Sequence, residues 1–143
     1  MRELQTTEIS IYQPIDRVWE LIASIDRNGH LWLPHTAAVV KKTLGDVGEH
    51  ALFRLSHFSS DSLCQIVRFV PMSELELEIA TDYARVSIKI IFVADVNAVQ
   101  LTVIVRGQLY GWRSWLGLPA YWYMKRVFEP MTERMRKMVV QPD

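Results

Sequence analysis

The chain has 143 residues, half of them apolar and 22% charged, which suits a folded domain with a sizeable core and excludes a disordered chain. Sixteen Lys and Arg residues balance sixteen Asp and Glu residues, so no net field attracts nucleic acid and we expect no nucleic-acid partner. The single cysteine, Cys64, excludes an internal disulfide. Because the N-terminus lacks the apolar core of a signal peptide and no stretch suits a spanning helix, we expect one cytoplasmic domain over residues 1–143, without stable membrane insertion.

A strand and a helical insertion come first in the chain. Ile9 and Ile11 alternate with polar residues, which predicts a half-buried strand. Pro14 suits the first turn of a helix, and we expect Asn28-Gly29 to stop that helix. Apolar residues recur between these positions at helical spacing, namely Ile15, Val18, Trp19, Ile22 and Ile25.

Six further strands are predicted between about Thr36 and Leu109, because short turns interrupt a strand-like sequence at 45–48, 59–61, 71–73, 82–83 and 95–97. Links of this length favour consecutive antiparallel hairpins. The 45–48 turn contains two glycines and leaves the register of the 36–44 strand open by one residue.

Closing four of these turns predicts which residues pair across the sheet, and a slip of one residue would move every side chain to the other face. The two later turns pair Leu75 with Ile90, Leu77 with Ile88, Ile88 with Val105, Ile90 with Val103 and Phe92 with Leu101. The two earlier turns pair Phe53 with Val67, Leu55 with Gln65, Val67 with Leu77 and Phe69 with Leu75. One continuous apolar face results, which also carries Leu63, Ile79 and Val86, whereas charged residues occupy the other face with Ile66, Ile91 and Ile104.

The C-terminal residues 119–139 predict one long helix, about 30 Å in length at the helical rise per residue, which is enough to cross the sheet. Pro130 cannot donate a backbone hydrogen bond, so we expect a bend there. The apolar stripe of this helix comprises Tyr121, Met124, Phe128, Met131, Met135 and Met138.

This order of elements resembles the helix-grip fold of the START and Bet v 1-like (SRPBCC) superfamily, and most resembles its bacterial polyketide cyclase/dehydrase and lipid-transport branch. The resemblance is carried by Gln13-Pro14-Ile15-Asp16-Arg17-Val18-Trp19, Trp32-Leu33-Pro34, the Gly45–Gly48 turn and the aromatic helix after Pro119. It implies an α+β fold in which a curved seven-stranded antiparallel sheet wraps around the long C-terminal helix, with short helices between strands 1 and 2. It also implies a cavity between sheet and helix that receives an apolar or amphipathic molecule.

Sequence motifs with their own chemistry are absent: there is no G-x-G-x-x-G, P-loop, G-x-S-x-G or H-E-x-x-H pattern. His30 and His35 lie five residues apart around a Trp-Leu-Pro segment, without a suitably placed carboxylate. A structural role is favoured for both, because metal sites need several ligands at fixed geometry. We therefore expect no metal and no cofactor.

His57 and Gln65 are the polar residues that the predicted registers place on the apolar face, His57 beside Leu63 and Gln65 between Leu55 and Ile79. A buried polar group needs a hydrogen-bond partner, which a ligand hydroxyl or carbonyl would supply. Alternatively, His57 reaches solvent at the end of the sheet and Gln65 binds a buried water. As an acid or base near neutrality, His57 is also the candidate catalytic residue.

The remaining candidate ligand contacts come from the sheet, the C-terminal helix and the aromatic segment 109–118. This segment would cap the pocket, form a homodimer interface or touch a membrane surface, in that order of preference. The candidates are Phe53, Val67, Leu77, Ile88, Ile90 and Val103 in the sheet, Trp112 and Trp115 in the segment, and Tyr121, Met124 and Phe128 in the helix.

The preferred function is the binding of a hydrophobic or amphipathic small molecule, lipid or polyketide-like, between the sheet and the C-terminal helix. One alternative is a cyclase or dehydratase that uses His57 as acid or base and Gln65 to orient the substrate. Another is a non-catalytic interaction domain whose aromatic segment binds a partner. Fold resemblance by itself does not choose between a carrier and an enzyme.

Overall fold

The computed structural model describes residues 2–57, 61–111 and 117–140, and begins with a strand and two short helices. These are β1 (Arg2–Ile11), α1 (Ile15–Ala23) and α2 (Ile25–Trp32). Six strands follow: β2 (Ala38–Lys41), β3 (Leu52–Ser56), β4 (Asp61–Val70), β5 (Glu74–Ala80), β6 (Ala84–Asp95) and β7 (Ala98–Leu109). Two C-terminal helices, α3 (Leu118–Phe128) and α4 (Met131–Val140), complete the described chain.

The seven strands form one curved antiparallel sheet in the order β1-β7-β6-β5-β4-β3-β2. Strands β1 and β2 are consecutive in the chain but lie at opposite edges of the sheet, so α1 and α2 cross between the edges. Helix α4 packs on β1 and on both short helices, whereas α3 packs on β1 and β7. This is the α+β helix-grip architecture that the sequence predicts. Among the described helices, none combines the length and hydropathy needed to cross a bilayer.

The predicted registers of the later hairpins are confirmed. Leu75 faces Ile90 and Leu77 faces Ile88 across β5 and β6. Across β6 and β7, Ile88 faces Val105, Ile90 faces Val103 and Phe92 faces Leu101. Phe69 also faces Leu75, as predicted from the turn at 71–73.

The predicted register of the β3–β4 hairpin is wrong by three residues. Phe53 faces Cys64 and not Val67, whereas Leu55 faces Ser62 and not Gln65. The pairing of Ser56 with Asp61 leaves residues 57–60 as the connection, which is longer than the predicted turn. An odd shift exchanges the two faces of a strand, so the inward and outward residues of the first half of β4 are reversed.

A bulge at Val67 ends this reversal, because the pairing of β4 with β5 shifts between Ile66 and Arg68. Before the bulge, Ser62, Cys64 and Ile66 face inward and are buried. Leu63 is 48% exposed and Gln65 is also exposed, so neither side chain lies on the concave face. Leu77 accordingly faces Ile66 and not Val67.

The helical insertion is also divided differently from the prediction. α1 ends at Ala23. The side-chain amide of Asn28 donates to the backbone carbonyl of Leu21 at 3.0 Å and so satisfies one of the free carbonyls at the end of this helix. α2 then continues through Gly29, which was predicted to stop the helix. A Cβ at Gly29 would lie 3.2 Å from a methyl group of Val39, so glycine lets α2 approach β2 closely.

The predicted C-terminal helix is interrupted at the expected position, because the chain leaves the helix at Glu129 and Pro130 before α4 begins. Proline has no N–H to continue the ladder. Both helices contact β1, but α3 also packs on β7 whereas α4 packs on α1 and α2, with Met131, Met135 and Val139 of α4 buried in the core.

One end of the space between sheet and helices is closed by aromatic packing. The ring of Trp19 on α1 meets Phe69 and Phe92 edge-on, with centroids 5.2 and 5.0 Å apart. Such contacts contribute about 0.5–1.5 kcal/mol each beyond the area they bury. The turn between β5 and β6 lies at the opposite end of the space, with the ends of the two strands that it joins.

The corrected β4 register predicts that two substitutions on opposite faces of this strand will lower the free energy of unfolding by different amounts. Ile66→Ala should lower the free energy of unfolding by about 2–5 kcal/mol, because it leaves a cavity in the core. Leu63→Ala, the matched control on the other face, should lower it by less than about 1 kcal/mol. Urea denaturation measures both free energies of unfolding. A larger loss for Leu63→Ala than for Ile66→Ala would contradict this register and favour the one predicted from the sequence.

Candidate functional site

A cavity of about 220 Å³ lies at the end of the sheet opposite Trp19, beneath α3. Its walls come from the α2–β2 loop, from the end of β3, the start of β4, the end of β5 and the start of β6, and from α3. The lining residues are Leu33, Pro34, His35, Thr36, Leu55, His57, Ser62, Ile79, Thr81, Tyr83, Ala84, Val86, Tyr123, Met124, Val127 and Phe128. Among these described lining residues there is no Asp, Glu, Lys or Arg.

The inner wall of the cavity is aliphatic and comes from three strands of the sheet. Leu55, Ile79 and Val86 are all at most 7% exposed and face inward from β3, β5 and β6. Ile79 and Val86 are cross-strand partners, so the two form a continuous surface. This surface suits an apolar group and has no side chain that would pair with a charge.

The imidazole of His57 joins two walls of the cavity. Its Nδ1 lies 2.9 Å from the carbonyl oxygen of His35 in the α2–β2 loop, and its Nε2 lies 2.7 Å from Oγ of Ser62 in β4. A carbonyl oxygen only accepts, so Nδ1 must carry the proton of this bond. In the neutral ring, Nε2 then accepts the hydroxyl proton of Ser62.

His35 reaches this carbonyl position through a left-handed backbone conformation, with φ of 53°. Residues other than glycine adopt this region rarely and at a cost in free energy. The neighbouring Thr36 hydroxyl donates to the carbonyl of Pro34 at 3.1 Å. The loop thus presents the His35 carbonyl to His57 in a conformation that the sequence does not favour locally.

Thr81 organises the turn at the mouth of the cavity. Its Oγ1 donates to the carbonyl of Ala84 and accepts from the backbone N–H groups of Ala84 and Tyr83, at 3.0, 3.0 and 3.3 Å. The carbonyl of Tyr83 accepts from the N–H of Tyr110 at 3.0 Å. Tyr83 and Tyr123 line the cavity and are 48% and 66% exposed.

α3 is held over the cavity by contacts with the first and last strands. The amide of Gln5 donates to the carbonyl of Phe128 at 3.0 Å, at the end of α3. Gly107 of β7 makes room for Met124, because a Cβ at residue 107 would lie only 2.6 Å from the Met124 Cε atom. Arg2 lies over the Tyr121 ring, 5.0 Å from its centroid. These contacts place Met124 and Phe128 against the cavity.

The structure brings only some of the predicted site residues to the cavity. His57, Met124 and Phe128 line it. Five others are fully buried in the packed core away from it, namely Phe53, Leu77, Ile88, Ile90 and Val103. Val67 is half-buried at the bulge, Gln65 is exposed on the outer face, and Tyr121 packs beside the core. Trp112 and Trp115 lie outside the described residues, so the lid, homodimer and membrane roles of 109–118 remain predictions.

Sequence reasoning missed Ser62, Thr81 and Tyr83 as cavity residues. The predicted β3–β4 register placed Leu63 on the apolar face, which would turn its neighbour Ser62 outward, whereas Ser62 faces Leu55 and points inward. Thr81 precedes the predicted 82–83 turn, and a threonine beside a two-residue turn is a signal for side-chain bonding to the turn backbone. That signal could have identified the position of Tyr83 at the opening.

A second, shallow groove of about 450 Å³ lies between the two short helices and the 43–49 loop. It carries side chains of both charge signs, namely Glu20, Asp26, Arg27, Lys41 and Asp46. Within the described ranges, no cluster of three His, Cys, Asp or Glu side chains is arranged to hold a metal ion. The first cavity is therefore the stronger candidate site for an uncharged ligand.

Comparisons with known proteins support the fold assignment. No protein-family model matches the sequence, and no curated protein matches it either. The solved structure of BH1534 from Bacillus halodurans is 20% identical, with a TM-score of 0.70 over 97% of this chain and 99% of that chain. Ara h 8.0201 is 13% identical, with a TM-score of 0.70 over 94% of this chain and 92% of that chain.

The di-domain ARO/CYC StfQ from the steffimycin biosynthetic pathway is 12% identical, with a TM-score of 0.76 over 94% of this chain and 48% of that chain. At such identities the likeness establishes the fold and not the activity. The resemblance to Bet v 1-like and polyketide cyclase structures is therefore confirmed at the level of the helix-grip fold.

Burial gives Cys64 a distinctive chemical behaviour, because desolvation of the thiolate raises its pKa to about 12. At pH 8 the thiolate fraction is then roughly one part in ten thousand. We expect native Cys64 to react with iodoacetamide orders of magnitude more slowly than free cysteine, and at the ordinary rate in denaturant. The double variant Cys64→Ser, Leu63→Cys is the matched control, and its exposed thiol should react readily in the folded protein, as followed by mass spectrometry.

The hydrogen bonds of His57 should contribute to stability, because the ring ties the α2–β2 loop to β4. His57→Ala is expected to lower the free energy of unfolding by about 1–3 kcal/mol through the loss of two bonds. His30→Ala, at an exposed position on α2, should change it by less than about 0.5 kcal/mol. Equal urea midpoints for the two variants would contradict the bridging role.

Proposed function

We propose that the protein binds a small, uncharged apolar or amphipathic molecule in the cavity beneath α3. The observation that carries this proposal is the enclosed aliphatic wall of Leu55, Ile79 and Val86 beside a polar rim of His57 and Thr81. Such a wall gives affinity through burial, whereas a few polar groups at the rim orient the ligand.

The volume of the cavity restricts the ligand. At about 220 Å³ it is smaller than the roughly 300–1,000 Å³ that is usual for drug-sized ligands. A single or fused aromatic ring, or a short acyl chain, fits this volume better than a complete long-chain lipid. The inner part of the ligand should be uncharged, because the described lining residues provide no opposite charge.

A cyclase or dehydratase remains the second proposed function, because His57 lies at the cavity and not in the core. StfQ is an ARO/CYC with the same fold, which supports this alternative by analogy. The hydrogen bonds of His57 constrain such a role, since the lone pair of neutral Nε2 is directed at Ser62. As a base, His57 would remove the proton of Ser62 or would first release that hydroxyl.

Filling the cavity should weaken binding of a ring-sized ligand. Val86→Phe adds a ring to the cavity wall, so we expect it to weaken the binding of 1-naphthol at least tenfold, or by about 1.4 kcal/mol. The control Val93→Phe adds the same ring to an exposed position of the same strand and should leave the affinity unchanged. Fluorescence titration or calorimetry measures the affinity.

Two results would contradict the proposal. One is the absence of naphthol binding to the unaltered protein, together with no apolar molecule in native mass spectra of the purified protein. The other is an equal affinity for both phenylalanine variants. The first result would favour the alternative of an interaction domain without a ligand, and the second would place naphthol binding outside this cavity.

A further inference from the structure

Ser62 and His57 have the mutual geometry of a nucleophile and its base. The serine Oγ and the imidazole Nε2 are 2.7 Å apart, and the other ring nitrogen is fixed by the His35 carbonyl at 2.9 Å. A hydroxyl within hydrogen-bond reach of a base, with that base oriented by a third group, is the general pattern of an activated nucleophile. The backbone carbonyl occupies the position that a carboxylate has in a serine hydrolase triad.

The pair is also placed where a substrate would bind. Ser62 is 4% exposed, yet both its side chain and that of His57 line the cavity. The aliphatic residues Leu55 and Ile79 lie on the same lining, so an acyl chain bound there would bring its carbonyl group to the polar rim. Ser62 is thus a hydroxyl at the boundary between an apolar wall and the opening.

We propose that Ser62 is a nucleophile that accepts a short, uncharged acyl group from an ester or thioester, with His57 as its base. This proposal rests on the proposed function, because the acyl group occupies the same cavity. Oγ forms a bond to the acyl carbon while its proton passes to Nε2 of His57. The same proton then passes to the departing alkoxide or thiolate as the C–O or C–S bond breaks, which leaves an ester on Ser62.

Water completes the cycle. His57 accepts a proton from the water as its oxygen attacks the ester carbonyl, and the proton is returned to Oγ when the carboxylic acid leaves. The imidazolium formed in each step keeps its Nδ1–H bond to the His35 carbonyl. Because that oxygen carries no formal charge, it stabilises the imidazolium less than an aspartate would.

The neighbouring hydroxyl groups indicate that turnover will be slow. Thr36 donates its proton to the carbonyl of Pro34, and Thr81 donates to that of Ala84, so neither proton is free to stabilise an oxyanion. Loss of a single oxyanion-hole donor costs about 10²–10³ in kcat in a serine protease. Covalent modification of Ser62 by an activated ester is therefore a more sensitive test than steady-state hydrolysis.

The experiment incubates the full chain with p-nitrophenyl butyrate and follows p-nitrophenol release, the intact mass and the modified peptide. We expect one butyryl group on Ser62 of the unaltered protein and none on the Ser62→Ala variant. Ser87 is the control, because its hydroxyl bonds Glu76 on the other face of the sheet, and the Ser87→Ala variant should be acylated on Ser62 as the unaltered protein is. His57→Gln should slow acylation by at least about 100-fold. Added imidazole should partly restore the rate in His57→Ala, which a purely structural role would not produce.

Binding of 1-naphthol to each variant separates the two proposals. If naphthol binds but Ser62 remains unmodified, or if Ser62→Ala is acylated as fast as the unaltered protein, the nucleophile assignment is wrong and the binding function stands. Ser62→Cys provides a second variant of nearly unchanged shape. Its thiol should be acylated faster than Cys64 in the same molecule, and equal protection of both sulfurs would overturn the proposal.

Discussion

The structure depends on how the concave face of one curved sheet is buried. A seven-stranded sheet with an apolar inner face needs cover along its whole length, and a single helix covers only a strip of it. α4 packs on β1, α1 and α2 and buries Met131 and Met135 in the core, whereas α1 closes one end with Trp19. Among the described residues, α3 is the helix that covers the other end, where the cavity lies between α3, the sheet and the α2–β2 loop.

The break in the C-terminal helix makes this arrangement possible. A straight helix would keep its apolar stripe on one line, but the missing N–H of Pro130 allows α3 to pack on β7 and α4 on α1 and α2, while both contact β1. α3 is then fixed at its end by the bond from Gln5 to the Phe128 carbonyl, and along its length by the fit of Met124 over Gly107. Each of these contacts joins α3 to β1 or β7.

The sequence was sufficient where short turns determine the register. The 82–83 and 95–97 turns are too short to allow alternatives, so the pairs of Leu77 with Ile88 and of Ile90 with Val103 followed from counting residues. The β3–β4 connection is longer and its closure could not be deduced from turn residues alone. The bulge at Val67 concealed the error, because one extra residue restored the predicted pairing of Phe69 with Leu75 beyond it.

The same limits explain what could be predicted of the site. A helical stripe is local information, so Met124 and Phe128 could be identified from their spacing. The division between packed core and cavity is not local, since Leu77 and Val86 look equivalent on one face of the sheet. The positions of the helices decide that Leu77 lies in the packed core and that Val86 lines the cavity.

The odd register shift links the structural error to the chemistry. It moves Gln65 and Leu63 out of the concave face and moves Ser62 into it, so the neighbour of His57 on that face is a hydroxyl and the face loses the predicted amide. An amide would have offered a ligand hydrogen bonds but no nucleophile, because its nitrogen is not basic. A hydroxyl bonded to an imidazole nitrogen instead offers both a hydrogen bond and a proton that can be transferred. In the proposals made above, His57 and Ser62 serve both ligand binding and acyl transfer, and the apolar wall selects the molecules that reach them.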